Sequence, residues 1–150
     1  MPVLKSVNPY DPGRIINYPQ LSAMELKVRL GRSRTAFQDY RKTSFAWRKE
    51  RMERVGSLLR ERSRDLAEVI TMEMGKPVRE STAEVKKCAW VCEYYAENAE
   101  EFLKTRKVQT EAEESMVLYR PLGPLLAIMP WNFPFWQVFR FAAPALMAGN

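Results

Sequence analysis

From Pro121 to Trp136 the chain reads Pro-Leu-Gly-Pro-Leu-Leu-Ala-Ile-Met-Pro-Trp-Asn-Phe-Pro-Phe-Trp. Few local structures accommodate that order. Pro121-Leu122-Gly123-Pro124 is a turn signal, and Leu125 to Met129 is a short apolar run behind it. A run of that length, bounded by turn formers, reads as a buried strand. Pro130 stops it. Pro134 opens a helix, because the N–H it lacks has no partner in a first turn anyway. The expected order is turn, buried strand, tight connection, helix. Asn132 is the one polar side chain in the connection. It stands at the carboxyl end of the strand, where open α/β sheets place ligands. The residues alone leave two roles open for it. It ties the turn to nearby backbone, or it faces a ligand.

The preceding sequence is mostly helical in pattern. Asn8-Pro9-Tyr10-Asp11-Pro12-Gly13 is dense in turn formers and predicts a small hairpin or extended arm. Ser22 and Glu25 form a capping box, with Leu21 and Leu26 in the staple positions. Leu26, Leu30 and Phe37 then mark the expected buried side of the first helix. A second helix runs from about Ser44 to the Arg62 region on Met52, Val55 and Leu59. Ser63 or Asp65 is the expected cap of a third, with Leu66, Val69 and Ile70 inward. Gly75-Lys76-Pro77 ends it, Gly in the left-handed cap position and Pro blocking continuation. Lys76 there reads as an exposed helix-end cation favoured by the helix dipole. A long fourth helix carries Val85, Cys88, Ala89, Cys92, Tyr95, Ala96, Ala99 and Phe102 as one apolar stripe. Two strand candidates follow, Lys107 to Thr110 and Met116 to Tyr119. The polar segment from Glu111 to Ser115 joins them at hairpin length. Pro144 falls inside the last helix and is expected to kink it, and Gly149-Asn150 reads as its C-cap.

Composition narrows the chemistry. The chain has 150 residues, room for about one domain with a core. It holds no histidine, so Cys–His catalysis and histidine metal sites within these residues are ruled out. Its two cysteines stand four apart on an apolar helix face, where a thiol packs as a small hydrophobe; no metal site is expected. Two cysteines suggest no disulfide framework, and a cytoplasmic, reducing location fits. Met1 to Lys5 lacks the apolar region of a signal peptide. Leu122 to Gly149 is interrupted by Pro130, Asn132, Pro134, Gln137, Arg140 and Pro144, so no membrane span is expected. The formal charge is +6, and residues 41–64 hold nine basic and three acidic side chains, the whole excess. That stripe reads as a solvated helix face, with Glu50 and Arg54 at supporting i,i+4 spacing. It lacks the motifs of a nucleic-acid binder, and no nucleic-acid partner is expected.

The stretch around Pro130-Trp131-Asn132-Phe133-Pro134 resembles the aldehyde dehydrogenase superfamily, whose signature is P-x-G-x-x-x-x-I-x-P-W-N-F-P. Gln137 to Asn150 continues the likeness, and Glu73-Met74-Gly75-Lys76-Pro77 matches a family segment written E-x-G-K-P. The variant Met129 to Gln137 most resembles the succinate-semialdehyde dehydrogenase branch. The resemblance implies an α/β fold. Residues 1–150 would be a helix-rich N-terminal portion of the cofactor-binding domain, with an oligomerisation hairpin at about 107–120 and the catalytic domain absent. It implies an oxidoreductase that converts an aldehyde, here succinic semialdehyde, to its carboxylate with NAD or NADP. The parent would be a homo-oligomer, dimer or tetramer. Asn132 would donate to the oxyanion, and Ile128, Met129, Pro130, Trp131 and Asn132 would line the cofactor. The family's nucleophilic cysteine, general-base glutamate and nucleotide-binding glycine turn belong beyond Asn150, and Cys88 and Cys92 do not match that cysteine. The 150-residue chain alone is therefore expected to be inactive. The alternative is a non-catalytic interaction module that pairs with a full-length dehydrogenase subunit.

Overall fold

The computed structural model describes residues 3–150; Met1 and Pro2, part of the segment read for a signal peptide, lie outside the described residues. Two strands come first, β1 (Val3–Asn8) and β2 (Asp11–Pro19). Four helices follow: α1 (Ala23–Tyr40), α2 (Phe45–Glu61), α3 (Ser63–Met74) and α4 (Val78–Phe102). A short pair, β3 (Arg106–Lys107) and β4 (Met116–Val117), precedes α5 (Pro134–Met147). Among the described residues there are two antiparallel two-stranded sheets, β1-β2 and β3-β4.

The starts of α1, α2 and α5 follow their sequence signals. Ser22 Oγ accepts from the Glu25 N–H at 3.2 Å, and Glu25 Oε2 accepts from the Ser22 N–H at 2.8 Å. Ser44 Oγ likewise accepts from the Trp47 N–H. Gly75 caps α3 with φ of 68°, the left-handed conformation glycine adopts without cost. The β1-β2 hairpin docks there, where the Tyr10 hydroxyl donates to the Gly75 carbonyl at 2.8 Å. Pro134 opens α5, and the helix runs through Pro144.

The centre of the molecule is α4. It packs against α2, α3 and α5. Val85, Cys88, Ala89, Cys92, Ala96 and Ala99 are buried there with Met52, Leu59, Ile70, Ala143 and Met147. Small side chains dominate the α4 stripe, and close approach of neighbouring helices follows.

Several expectations need correction. Leu125 to Met129 forms no strand and is not buried; Leu126 and Ile128 are 86% and 87% exposed. A parallel strand needs neighbours on both edges and helices on its faces, and among the described residues no strand lies beside it. Helix α1 buries none of its residues; Leu26 and Leu30 are exposed and Phe37 is half-buried. Its apolar side faces no other element except near its C-terminus, where the Tyr40 hydroxyl donates to the Leu146 carbonyl. Neither Ser63 nor Asp65 caps α3, which starts straight after α2 with Arg62 in the cap position and no side-chain cap bond. Val69 and Phe102 face outward. Arg54 pairs with Glu61 rather than Glu50. The second hairpin is shorter than expected: its ladder pairs Arg106 with Val117 and Lys107 with Met116, and one further bond runs from the Val108 N–H to the Ser115 carbonyl at 2.9 Å. Lys76 is not a solvated cation: its side chain is only 12% exposed.

Candidate functional site

The first turn of α5 exposes backbone N–H groups that no residue of its own segment satisfies; Phe133, in the cap position, provides no side-chain bond. The partner comes from α4. Glu84 Oε1 accepts from the Phe135 N–H and the Trp136 N–H, both at 3.0 Å. Its other oxygen, Oε2, accepts from Lys76 Nζ at 2.5 Å. Both side chains are withdrawn from solvent. Lys76 Nζ also stands 3.9 Å from the centroid of the Phe133 ring. A carboxylate at a helix N-terminus is favoured by the helix dipole. Here it makes three charge-assisted or backbone bonds, which is what a buried charge needs to be tolerated.

Asn132 sits beside this arrangement, in the turn before α5 and exposed. None of the hydrogen bonds among the described residues uses its amide. The bonds that hold the first turn of α5 come instead from Glu84. Asn132 lines a cavity of about 550 Å³ with Lys76, Lys87, Trp136, Gln137 and Arg140. Lys87 Nζ lies 4.0 Å from the Trp136 ring centroid. Glu80 and Glu84 also reach this wall. Lys76 is neutralised by Glu84, whereas Lys87 and Arg140 are in none of the ion pairs among the described residues. Among the described residues the cavity thus offers two unengaged amides, Asn132 and Gln137, and two unpaired cations, with Glu80 as an unpaired carboxylate on the same wall.

Of the other residues singled out from sequence, Ile128, Met129, Pro130 and Trp131 precede Asn132 in the extended segment and do not line the cavity. Ile128 and Trp131 are largely exposed and Met129 is half-buried. No backbone hydrogen bond is made among the described residues by 124–132. At the segment's start, Asn150 Oδ1 accepts from the N–H groups of Leu122 and Gly123, at 2.6 and 3.2 Å. Glu84, Lys76, Lys87 and Arg140 were missed as site residues. Glu84, like Ser81, is a polar residue on the largely apolar buried face of α4, and that break in pattern is the available signal.

Cys88 and Cys92 are fully buried and unbridged. Burial, then the charge of Glu84, pushes the Cys88 thiol up to about 12. Burial and then Glu93 push Cys92 up to about 12. Neither is a nucleophile at neutral pH, since the thiolate is the reactive form. Among the described residues no group of three or more metal-ligating side chains is assembled, and no helix is long and apolar enough to cross a membrane.

The aldehyde dehydrogenase family matches residues 2–150. The chain is 44% identical over 147 residues to a probable succinate-semialdehyde dehydrogenase [NADP(+)] of Synechocystis sp., covering 98% of this chain and 32% of that protein. It is 41% identical over 145 residues to the succinate semialdehyde dehydrogenase [NAD(P)+] Sad of Escherichia coli, covering 97% and 31%. Among solved structures, Gox0499 superposes with a TM-score of 0.95 at 32% identity, over 100% of this chain and 33% of that one. Succinic semialdehyde dehydrogenase from Streptococcus pyogenes, solved in complex with NADP+, gives 0.92 at 31% identity, over 97% and 32%. The chain spans about a third of the length of the curated relatives it matches. With sequence and fold matched along almost its entire length, the chain belongs to the aldehyde dehydrogenase family.

Proposed function

We propose that residues 1–150 form the N-terminal part of the cofactor-binding domain of an NAD(P)-dependent aldehyde dehydrogenase, with succinic semialdehyde as its substrate. The observation that carries the reading is the Asn132 amide: exposed, unengaged, and lining a cavity whose cations outnumber its carboxylates. An amide N–H so placed donates to a carbonyl oxygen as it gains negative charge under attack by a thiolate. With Lys76 and Glu84 cancelling, Lys87 and Arg140 outweigh Glu80 on the same wall and leave it net positive, which favours an aldehyde that also bears a carboxylate. Relatives named as succinate-semialdehyde dehydrogenases support that substrate class.

The segment before Asn132 fits a nicotinamide dinucleotide. Its backbone groups are unpaired, and Ile128 and Trp131 present exposed apolar surface. Ile128, Met129, Pro130, Trp131 and Asn132 would hold the cofactor. When bound, its nicotinamide supplies the hydride acceptor for aldehyde oxidation. The relatives carry NADP(+) or NAD(P)+ in their names, so either nucleotide is proposed. The nucleophile is not Cys88 or Cys92, and the general base and glycine turn are supplied by residues outside these 150. The 150-residue chain by itself does not turn over. The parent is proposed to be a cytoplasmic homo-oligomer that uses the exposed β3-β4 hairpin in assembly.

Kinetics of Asn132→Ala in the full-length enzyme test the reading. Loss of an oxyanion donor lowers kcat by about 10²–10³-fold, and KM for succinic semialdehyde should change little. A kcat within twofold of the parent value refutes the assignment. For the 150-residue chain, NAD(P)H formation above a protein-free blank refutes the claim of inactivity.

A further inference from the structure

Glu84 and Lys76 form a buried ion pair to which no chemistry has been attached. Apolar residues of similar volume often replace such a pair at no cost in stability. What they could not replace is the pair's directional work. Glu84 Oε1 accepts from the Phe135 and Trp136 N–H groups, and Lys76 Nζ holds Glu84 Oε2 while lying over the Phe133 ring. Phe133 directly follows Asn132, and Phe135 and Trp136 form the first turn after it. Pro130 and Pro134 fix φ on either side. The three residues next to Pro134 are thus held from α4 and from Lys76, and no side chain within the segment holds them.

We infer that Glu84 is a positioning residue for Asn132, and that Lys76 acts through Glu84 by keeping its carboxylate aimed at α5. This rests on the reading of Asn132 as the oxyanion donor. The clamp sets where the amide points; it does not touch the substrate oxygen.

The test is a mutant cycle in the full-length enzyme with Glu84→Gln, Asn132→Ala and the double variant. Glu84→Gln keeps an oxygen acceptor but loses the ion pair and one of its two anionic oxygens. The expected result is a tenfold or greater fall in kcat with KM for the aldehyde within twofold. In the Asn132→Ala background, Glu84→Gln should cost nothing further, as residues acting through one another are non-additive. Hydrogen exchange of the peptide spanning residues 133–137 should speed up at least tenfold in Glu84→Gln. Losses that multiply overturn the inference, because Glu84 would then act independently of Asn132. Unchanged exchange also overturns it. An Asn132→Ala enzyme of normal kcat sinks the oxyanion reading instead, and leaves the exchange experiment to judge the clamp. Should Glu84→Gln not fold, Lys76→Met carries the same cycle, since it leaves the Glu84 carboxylate to accept from the α5 amides. Lys76→Arg, which keeps the cation, should recover most of the lost kcat. A Lys76→Met enzyme whose kcat is unchanged, or falls by the same factor with and without Asn132, counts against the inference.

Discussion

The two cysteines illustrate how burial decides what a residue does. Cys88 and Cys92 carry the two thiols of the chain, yet both are driven up to about 12. In the folded protein they should resist iodoacetamide at pH 8, and modification should appear only with unfolding. Mass spectrometry after timed alkylation in native buffer and in urea checks this. The same burial gives a pH signature. The unfolded thiols ionise near 9, while the folded ones hold their protons to about 12. Between those values the folded state binds more protons, so stability falls as pH rises. Their contribution is complete below pH 9 and is lost through pH 12. The slope is on the order of 1 kcal/mol per pH unit for each thiol. Urea midpoints from pH 8 to 11 should fall in the parent and fall less in Cys88→Ala. Gly75 is constrained differently. Its φ is 68°, and a Cβ there would stand 2.9 Å from Pro9 Cγ. Gly75→Ala should cost at least about 1–2 kcal/mol in left-handed strain, with the β1-β2 hairpin displaced as well. A melting temperature equal to the parent's would count against this account.

At the scale of the elements, most helix ends were legible, the start of α3 excepted, and helix faces less so. Ser22, Ser44, Gly75 and Pro134 act within one turn, so their neighbours in sequence are their partners in space. Facing is a tertiary property. On α3 the sequence puts Val69 and Ile70 on one apolar side, yet Ile70 is buried and Val69 is 46% exposed. The α4 stripe was read well because one helix is surrounded by three others and its small side chains leave little choice. For α1 the period was real, but among the described residues only its C-terminal end meets another element. The Asn132 turn was legible from its motif, while the clamp beneath it was not. Glu84 reaches amides 51 and 52 positions away, and Lys76 meets it across a helix start. No local pattern encodes such a meeting. The α3 contrast is measurable. Ile70→Ala should destabilise by about 2–4 kcal/mol, as buried large-to-small changes do, whereas Val69→Ala should stay within about 0.5 kcal/mol. Equal losses in chemical denaturation would place both side chains in the core.

At the scale of the whole molecule, the segment from Leu122 to Trp131 sets the behaviour of the chain on its own. Its ends are fastened, by Asn150 at Leu122 and Gly123 and by the Glu84 clamp beyond Asn132. Between them Leu126, Ile128 and Trp131 lie almost bare, and the backbone of 124–132 pairs with nothing else described. An extended apolar segment with unpaired N–H and C=O groups is a template for adding strands. The 150-residue chain, expressed alone, should bind a hydrophobic dye and self-associate as its concentration rises. The same surface separates association from folding. Leu126 and Ile128 contribute little to this chain's core, so Leu126→Ser with Ile128→Thr should move the unfolding midpoint by less than about 0.5 kcal/mol. Dye binding and light scattering should fall together. Lost stability without reduced association would mean that these side chains pack inward on this chain. Reduced association at unchanged stability identifies the segment as a surface waiting for sheet neighbours, the setting its Pro-Trp-Asn-Phe-Pro motif calls for.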